Sequence, residues 1–207
     1  MKKTLAILIV FAICTSGIFA LESSSFGVSF GYGLQSEFVS GEGVNTQSLV
    51  IGITGYDQFS KNSNFALIVD GQFEIPLKQG DIRRSDINNL KTWMNTGVVF
   101  GPAYIRVVKG SFKSFIGVGL AFKEQLMRVS SYYYDYSALV LGFGPGVVLH
   151  GTYNVSDSFY VSATMSQQYL FLNYAKINSG KLTRIEESFT LSTTARIGCG
   201  FTFNWGN

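Results

Sequence analysis

The sequence predicts an all-β fold: a closed, antiparallel, up-and-down transmembrane β-barrel of about eight strands. First, apolar residues alternate with small or polar ones in long segments, the pattern of a strand with two different faces. Second, the chain is 15% aromatic and only 14% charged. Third, beyond the N-terminal leader no apolar run approaches the roughly 18 residues that a membrane helix needs. A barrel reconciles these observations because its apolar residues are dispersed, one at every second position.

Residues 1–20 are predicted to be a cleaved signal peptide, and residues 21–207 to be the barrel domain. Lys2 and Lys3 precede a short apolar core, and Ala20 is the expected last residue of the leader. Two alternatives are an uncleaved membrane anchor and a lipoprotein acylated at Cys14. The apolar core is too short to cross a bilayer comfortably, which favours the signal peptide.

The mature segment carries little net charge, because Lys2 and Lys3 contribute two of the three net positive charges of the whole chain. No basic tract indicates a nucleic-acid partner. Cys199 is the one cysteine beyond the leader, so neither an intrachain disulfide nor a cysteine metal cluster is expected.

The first mature segment, SFGVSFGYGLQ at residues 25–35, shows the alternation most clearly. The same alternation returns over residues 188–205, far longer than the roughly 5–6 residues of an ordinary strand. Six further strands are predicted at 46–56, 65–75, 93–106, 114–125, 138–153 and 159–171.

The energy of side chains in lipid decides which face points outward. Aliphatic and aromatic residues prefer acyl chains, whereas a Lys or Arg at the midplane costs about 2–4 kcal/mol. The small and charged face is therefore predicted to line the lumen. We interpret its charged residues as a plug of salt bridges, with a gate or narrow ion path as the alternative. The predicted lumen residues are Asp70, Glu74, Lys123 and Arg196, with Lys91 and Glu187 as further candidates.

The connections are predicted to alternate in length, as in barrels with short periplasmic turns and longer external loops. The predicted short connections are 57–64, 107–113 and 154–158, and the longer ones are 36–45, 76–92, 126–137 and 172–184. Pro102 and Pro145, each in a Phe-Gly-Pro tripeptide, are predicted to sit in bulges near the periplasmic rim.

Two groups in the external connections are candidates for contact with a partner. Tyrosines cluster at Tyr132, Tyr133, Tyr134 and Tyr136, which favours either an aromatic girdle or an adhesive site. Arg83 and Arg84 lie in the second external connection, which is either a solvated loop or a contact for anionic lipid or a host polyanion.

No catalytic or cofactor-binding motif stands out. His150 is the only histidine, and no serine follows it in a short motif, so we interpret it as structural. The sequence has no phosphate-binding glycine loop with Lys-Ser/Thr, no HExxH and no zinc-ligand spacing. We therefore expect no cofactor and no enzymatic activity.

Together, the leader, the alternating segments and an aromatic C-terminal strand resemble small eight-stranded outer-membrane proteins. The class is the OmpX/OmpW-like and opacity-type one, including orphan barrels of spirochaetes. The resemblance covers residues 21–207 and implies insertion by the barrel-assembly machinery. Phe201, Phe203 and Trp205 match the C-terminal assembly signal of that class, although two residues extend past the final aromatic.

The expected function is therefore non-enzymatic: a monomeric barrel in the bacterial outer membrane, surrounded by lipid. Its surface loops would have a structural or interaction role, adhesin-like or surface-antigen-like, with a host or surface ligand. The alternative is a narrow passive pore for ions or small apolar solutes. A lipid-modifying enzyme and a soluble lipocalin-type barrel are further alternatives. The face assignment predicts that Val118→Arg impairs assembly far more than Gly119→Ser.

Overall fold

The computed structural model describes residues 23–59, 63–130 and 134–204, including their side chains except those of 107–109 and 204. The predicted signal peptide, residues 1–20, lies outside the described residues. No helix in the described part of the chain is long and apolar enough to cross a membrane.

The architecture is a closed antiparallel barrel of eight strands, as predicted. Each strand pairs with the next along the chain, and the first pairs with the last from Ser23↔Asn204 to Val39↔Ser188, which closes the cylinder. Closure gives every strand two neighbours, so the barrel has no open edge. The strands are β1 (Ser23–Val39), β2 (Glu42–Gln58), β3 (Phe65–Gln79), β4 (Leu90–Lys109), β5 (Phe112–Ser130), β6 (Asp135–Asn154), β7 (Phe159–Leu170) and β8 (Ser188–Asn204).

Short elements decorate two of the connections. Between β3 and β4, a two-residue strand Ile82–Arg83 is followed by the 3₁₀ turn Arg84–Asp86. After β7 the strand is interrupted at Phe171. The chain then forms the strand Leu172–Ile177, which pairs with the two-residue strand Thr183–Arg184.

The two faces of the barrel wall have the polarity that the sequence predicts. On β1, Phe30 is 60% exposed whereas its neighbour Ser29 is 3% exposed, and this alternation continues along the other strands. The barrel therefore has an exposed apolar outside and a buried, largely polar inside. An apolar outer surface of this extent is favourable only against an apolar solvent, which for a barrel is the lipid bilayer.

The predicted contrast between short and long connections is wrong in detail, because the strands extend further than expected. The predicted loop 36–45 is almost entirely strand, and β1 and β2 are joined by residues 40 and 41 alone. Strands of up to 20 residues exceed the roughly 9–11 that cross a bilayer. Antiparallel pairing continues past the membrane because it keeps backbone N–H and C=O groups bonded.

Only one of the two Phe-Gly-Pro tripeptides forms a bulge, and it lies midway along its strand, Asp135–Asn154, instead of near the periplasmic rim as predicted. At the second, the pairing changes from Phe143↔Leu172 to Gly146↔Gln168, so Gly144 and Pro145 oppose the three residues 169–171. The prediction for Pro102 is wrong, since the pairs on either side of it, Phe100↔Leu120 and Ala103↔Gly117, keep one register.

Next to Pro102, two glycine-containing backbones come into close contact, and neither strand has an extra residue. A Cβ on Gly101 would lie 2.1 Å from the Val118 carbonyl oxygen, and one on Gly119 would lie 1.9 Å from the Phe100 carbonyl oxygen. Both glycines are therefore required for β4 and β5 to approach this closely. The expectation that Gly119→Ser impairs assembly far less than Val118→Arg rests on a lumen position with free space, which the structure does not provide.

We accordingly expect Gly119→Ala to reduce the folded fraction strongly, since its methyl group would overlap a backbone carbonyl that has little room to move. Heat-modifiable mobility on a detergent gel after refolding measures that fraction. Gly71→Ala is the matched control, because a Cβ there would meet its nearest atom, the Ile53 carbonyl oxygen, at an ordinary 3.7 Å. Equal folded fractions for the two variants would contradict the close strand approach.

Candidate functional site

The interior of the barrel is built in layers from inward-facing residues of all eight strands. We call the end at which β1 begins the periplasmic end and the opposite end the external mouth, following the orientation that the sequence predicts. Nearest the periplasmic end lies the aromatic layer, defined as Tyr56, Phe115, His150 and Tyr160, all of them buried. The ring centroids of Tyr56 and Phe115 are 4.2 Å apart, and those of Phe115 and His150 are 5.6 Å apart.

His150 is placed as a packing residue. Its Nδ1 lies 2.8 Å from the Thr164 hydroxyl, and its ring is tilted against those of Tyr56 and Phe115. A nucleophile and an orienting carboxylate in hydrogen-bond contact are what a catalytic histidine needs. The described hydrogen bond of His150 is to the Thr164 hydroxyl, and no carboxylate is hydrogen-bonded to its ring among the described residues, so its structural role stays a prediction.

Above the aromatic layer lies the lower ion pair, Asp70 with Arg196. The Arg196 Nη2 donates to both carboxylate oxygens, at 2.7 Å to Oδ1 and 2.6 Å to Oδ2. The Thr54 hydroxyl donates to Oδ1 at 2.7 Å and the Gln72 amide to Oδ2 at 2.8 Å. Both charged side chains are fully buried, so the pairing compensates a large loss of hydration.

The upper ion pair, Glu74 with Lys123, lies closer to the external mouth. The Lys123 Nζ is 2.6 Å from Glu74 Oε1 and donates a second bond, of 2.8 Å, to the Ser192 hydroxyl. The Asn95 amide donates to Glu74 Oε2 at 3.3 Å. The four lumen residues named from the sequence are thus brought together as two pairs of opposite charge.

Lys91 and Glu187, the further candidates, lie outside the lumen. Lys91 is exposed, at a register shift between Leu90 and Thr92 that displaces it from the pairing with β5. Glu187 is exposed in the connection before β8, with a positive φ of 49°. The alternation of inward and outward residues does not continue through a register shift or a turn. The position of Lys91 and Glu187 in the alternating pattern therefore predicted the wrong face for both.

The interior is packed closely wherever glycines line it. A Cβ on Gly117 would lie 2.5 Å from Ile68 Cγ2, and one on Gly146 would lie 2.8 Å from the Val99 methyls. Glycines therefore stand where large side chains from opposite strands need the space. Over the described residues, the two ion pairs and the aromatic layer occupy the middle and lower parts of the interior.

The two arginines of the second external connection have different environments. Arg84 folds back on the barrel, where its Nη1 donates to the Trp93 carbonyl oxygen at 2.7 Å, so it fastens the connection to β4. Arg83 is exposed, its backbone N–H donates to the Asp86 carboxylate at 3.1 Å, and it pairs with Lys78 of β3. Arg83 is accordingly the more accessible cation of the two.

The aromatic candidates are placed only in part. Tyr134 and Tyr136 are 56% and 38% exposed at the external mouth, whereas Tyr132 and Tyr133 lie outside the described residues. At the other end of the barrel, Phe201 and Phe203 point outward and are about half exposed. The third residue of the predicted assembly signal, Trp205, also lies outside the described residues.

A cavity of about 190 Å³ opens at the external mouth, above the upper ion pair. The sequence interpretation missed it because Glu37, Gln79 and Met127 fall in segments that were predicted as loops. Extending the alternation of β1 would have placed Glu37 inside, and Thr46 already lies on the inward face of the predicted strand 46–56. The lining residues are Glu37, Thr46, Gln79, Trp93, Asn95, Gln125, Leu126, Met127, Tyr136, Ala138 and Val140.

Among the described residues no group of His, Cys, Asp and Glu side chains could hold a metal ion.

Comparison with known proteins shows the fold. No protein-family model matches the sequence, and neither does any curated relative. Among solved structures, Neisserial surface protein A is similar with a TM-score of 0.53 at 14% identity, over 86% of this chain and 97% of that one. OprG of Pseudomonas aeruginosa has a TM-score of 0.53 at 12% identity, over 89% and 98% of the two chains. The outer-membrane protein AlkL, determined in lipid bilayers, has a TM-score of 0.55 at 12% identity, over 91% and 93%. The chain therefore has the fold of small eight-stranded outer-membrane barrels.

Proposed function

We propose that the protein is a non-enzymatic surface barrel of the bacterial outer membrane, exported through its leader, which acts at its external mouth and not as a pore. The filled interior carries this proposal. The two buried ion pairs cross the lumen at different heights, and the aromatic layer covers it below. Passage of an ion would require both pairs to break in a space with little water, where unpaired charges are costly.

The external mouth is where the chain offers groups for interaction. Its strands remain paired towards the external mouth, so side chains that lie in strands there, such as Arg83 and Tyr136, project from a stiff support. A preorganised surface loses less conformational entropy on binding than a flexible loop does. Neisserial surface protein A bears a name that fits the same location.

The proposed partners follow from the surface of the barrel. Membrane lipid contacts the outward apolar residues, and the barrel-assembly machinery would recognise Phe201, Phe203 and Trp205 during insertion. The eight strands of the closed ring leave no edge among themselves, and only the two-residue strands Ile82–Arg83 and Thr183–Arg184 of the described residues have a free side, which favours a monomer. A host or surface ligand would reach the external connections.

Planar-bilayer recording tests the closed lumen. We expect no discrete conductance from the wild-type protein, because the ion pairs and aromatic layer obstruct the path. The double variant Tyr56→Ala/Phe115→Ala removes two rings of the aromatic layer and should remain closed, since both ion pairs stay. Discrete, reproducible conductance steps in the wild type would instead support the pore.

Surface labelling of intact cells tests location and orientation together. In a Cys199→Ser background, Arg83→Cys should react with a membrane-impermeant maleimide on intact cells. Asp157→Cys, exposed in the connection between β6 and β7, should react only after the outer membrane is permeabilised. The reverse pattern would show that the barrel is inserted the other way, and labelling of neither would place it elsewhere.

A further inference from the structure

We propose that the cavity at the external mouth binds a small organic cation, a protonated or quaternary amine. This goes beyond the proposed function, on which it rests only for the statement that the mouth faces the cell exterior. Binding itself requires the cavity alone. At about 190 Å³ the cavity has the volume of roughly six water molecules at about 30 Å³ each. A molecule of the size of choline fits that space.

The charge of the lining favours a cation. Glu37 is the one charged side chain among the described lining residues, and it is partly buried. The Gln35 amide donates to its Oε1, which orients the carboxylate without neutralising it. A carboxylate in a partly desolvated pocket attracts a positive charge more strongly than one in bulk water.

Lys123 and Arg84, two cations close to lining residues, are already engaged, and Lys78 and Arg128, which neighbour lining residues in sequence, do not line the cavity. Lys123 is bound to Glu74 and Ser192 below the floor. The Arg84 guanidinium donates to the carbonyl oxygens of Pro76 and Trp93. Neither lines the cavity, so the Glu37 charge is left for a ligand.

The walls suit the apolar part of an organic ammonium ion. Trp93 and Tyr136 line the cavity, and aromatic faces attract cations through the ring quadrupole. Met127, Ala138 and Val140 add apolar surface for methyl or methylene groups.

An unpartnered polar atom also points to a ligand. Thr46 is 2% exposed, and its hydroxyl has no hydrogen-bond partner among the described residues. Other buried hydroxyls of the interior are likewise without a partner among the described residues, but Thr46 lines this cavity, where water or a ligand group can bond to it. A hydroxyl-bearing amine would satisfy it together with Glu37.

Trp93 fluorescence reports binding. The chain has two tryptophans, and Trp205→Phe removes the other one. The variant is purified in a maltoside detergent, which has no ammonium headgroup, and titrated with choline chloride. The comparison ligand is 3,3-dimethylbutan-1-ol, which has the same shape without the charge. Sodium chloride at equal ionic strength controls for salt.

We expect choline to change the Trp93 emission saturably and the uncharged alcohol to bind at least tenfold more weakly. Glu37→Gln should weaken choline binding at least tenfold, whereas Glu42→Gln, an exposed change at the tip of the same hairpin, should leave it unaltered. Gln79→Glu adds a second carboxylate to the lining and should increase the affinity for choline. This variant tests the role of charge if Glu37→Gln fails to fold.

Three results overturn the proposal: no saturable response to choline, equal affinity for the alcohol, or choline affinity independent of the charge at both positions 37 and 79. These results leave the proposed surface role standing, because labelling and conductance test that role separately.

Discussion

Arg196→Met should lower the free energy of unfolding by about 3–5 kcal/mol, the cost of leaving a buried charge without its partner. Asp70 would keep only the neutral donors Thr54 and Gln72, in an interior where its carboxylate is fully buried. Urea titration of the protein folded into lipid vesicles measures the change as a shift of the transition midpoint.

Two controls separate this effect from the loss of a large side chain. Asp70→Asn combined with Arg196→Met removes both charges and should recover a substantial part of the stability. Lys78→Met breaks the ion pair with Asp81, whose atoms are 4.0 Å apart and whose acid is fully exposed, and should change nothing measurable. If Arg196→Met were as mild as Lys78→Met, the lower ion pair would not be the buried interaction described.

The second large effect is expected on the lipid face. Val118 on β5 points outward and is 53% exposed, so Val118→Arg places a guanidinium among acyl chains. We expect a loss of about 2–4 kcal/mol, the cost of Arg near the bilayer midplane, and little protein in the membrane fraction. Membrane fractionation and the same urea titration provide the two measurements.

Depth within the bilayer provides the matched comparison for this variant. Phe112→Arg adds the same charge on the same outward face, but at the first residue of β5, where the cost should fall to about 0–1 kcal/mol. Val118→Leu keeps the position apolar and should be tolerated. Equal losses for the two arginine variants would mean that this face is not in contact with lipid.

The interior and the external mouth have different roles: the interior stabilises the barrel, and the mouth is the proposed binding site. The ion pairs link β3 to β8 and β3 to β5, so they stabilise the ring through its interior. The cavity above them is lined by residues of β1 to β6 that lie towards the external ends of these strands. Substitutions in the lower part should change stability, and substitutions in the upper part should change binding.

Alternation along the chain was enough to predict the barrel and the direction of its side chains. Phe30 and Ser29, or Val118 and Lys123, differ in polarity because successive residues of a strand lie on opposite faces, and that is a local property. The same alternation, together with the cost of charge in lipid, predicted lumen positions for Asp70, Glu74, Lys123 and Arg196.

The tertiary structure alone decided which of those residues meet. Asp70 and Arg196 are 126 residues apart, and their contact depends on the registers of every strand pair between them and on closure of the ring. Strand ends, the register shift at Lys91 and the inward turn of Arg84 were likewise set by pairing with neighbouring strands. Local pattern determines the face of a residue, whereas its height in the barrel and its partners depend on hydrogen bonds to distant segments.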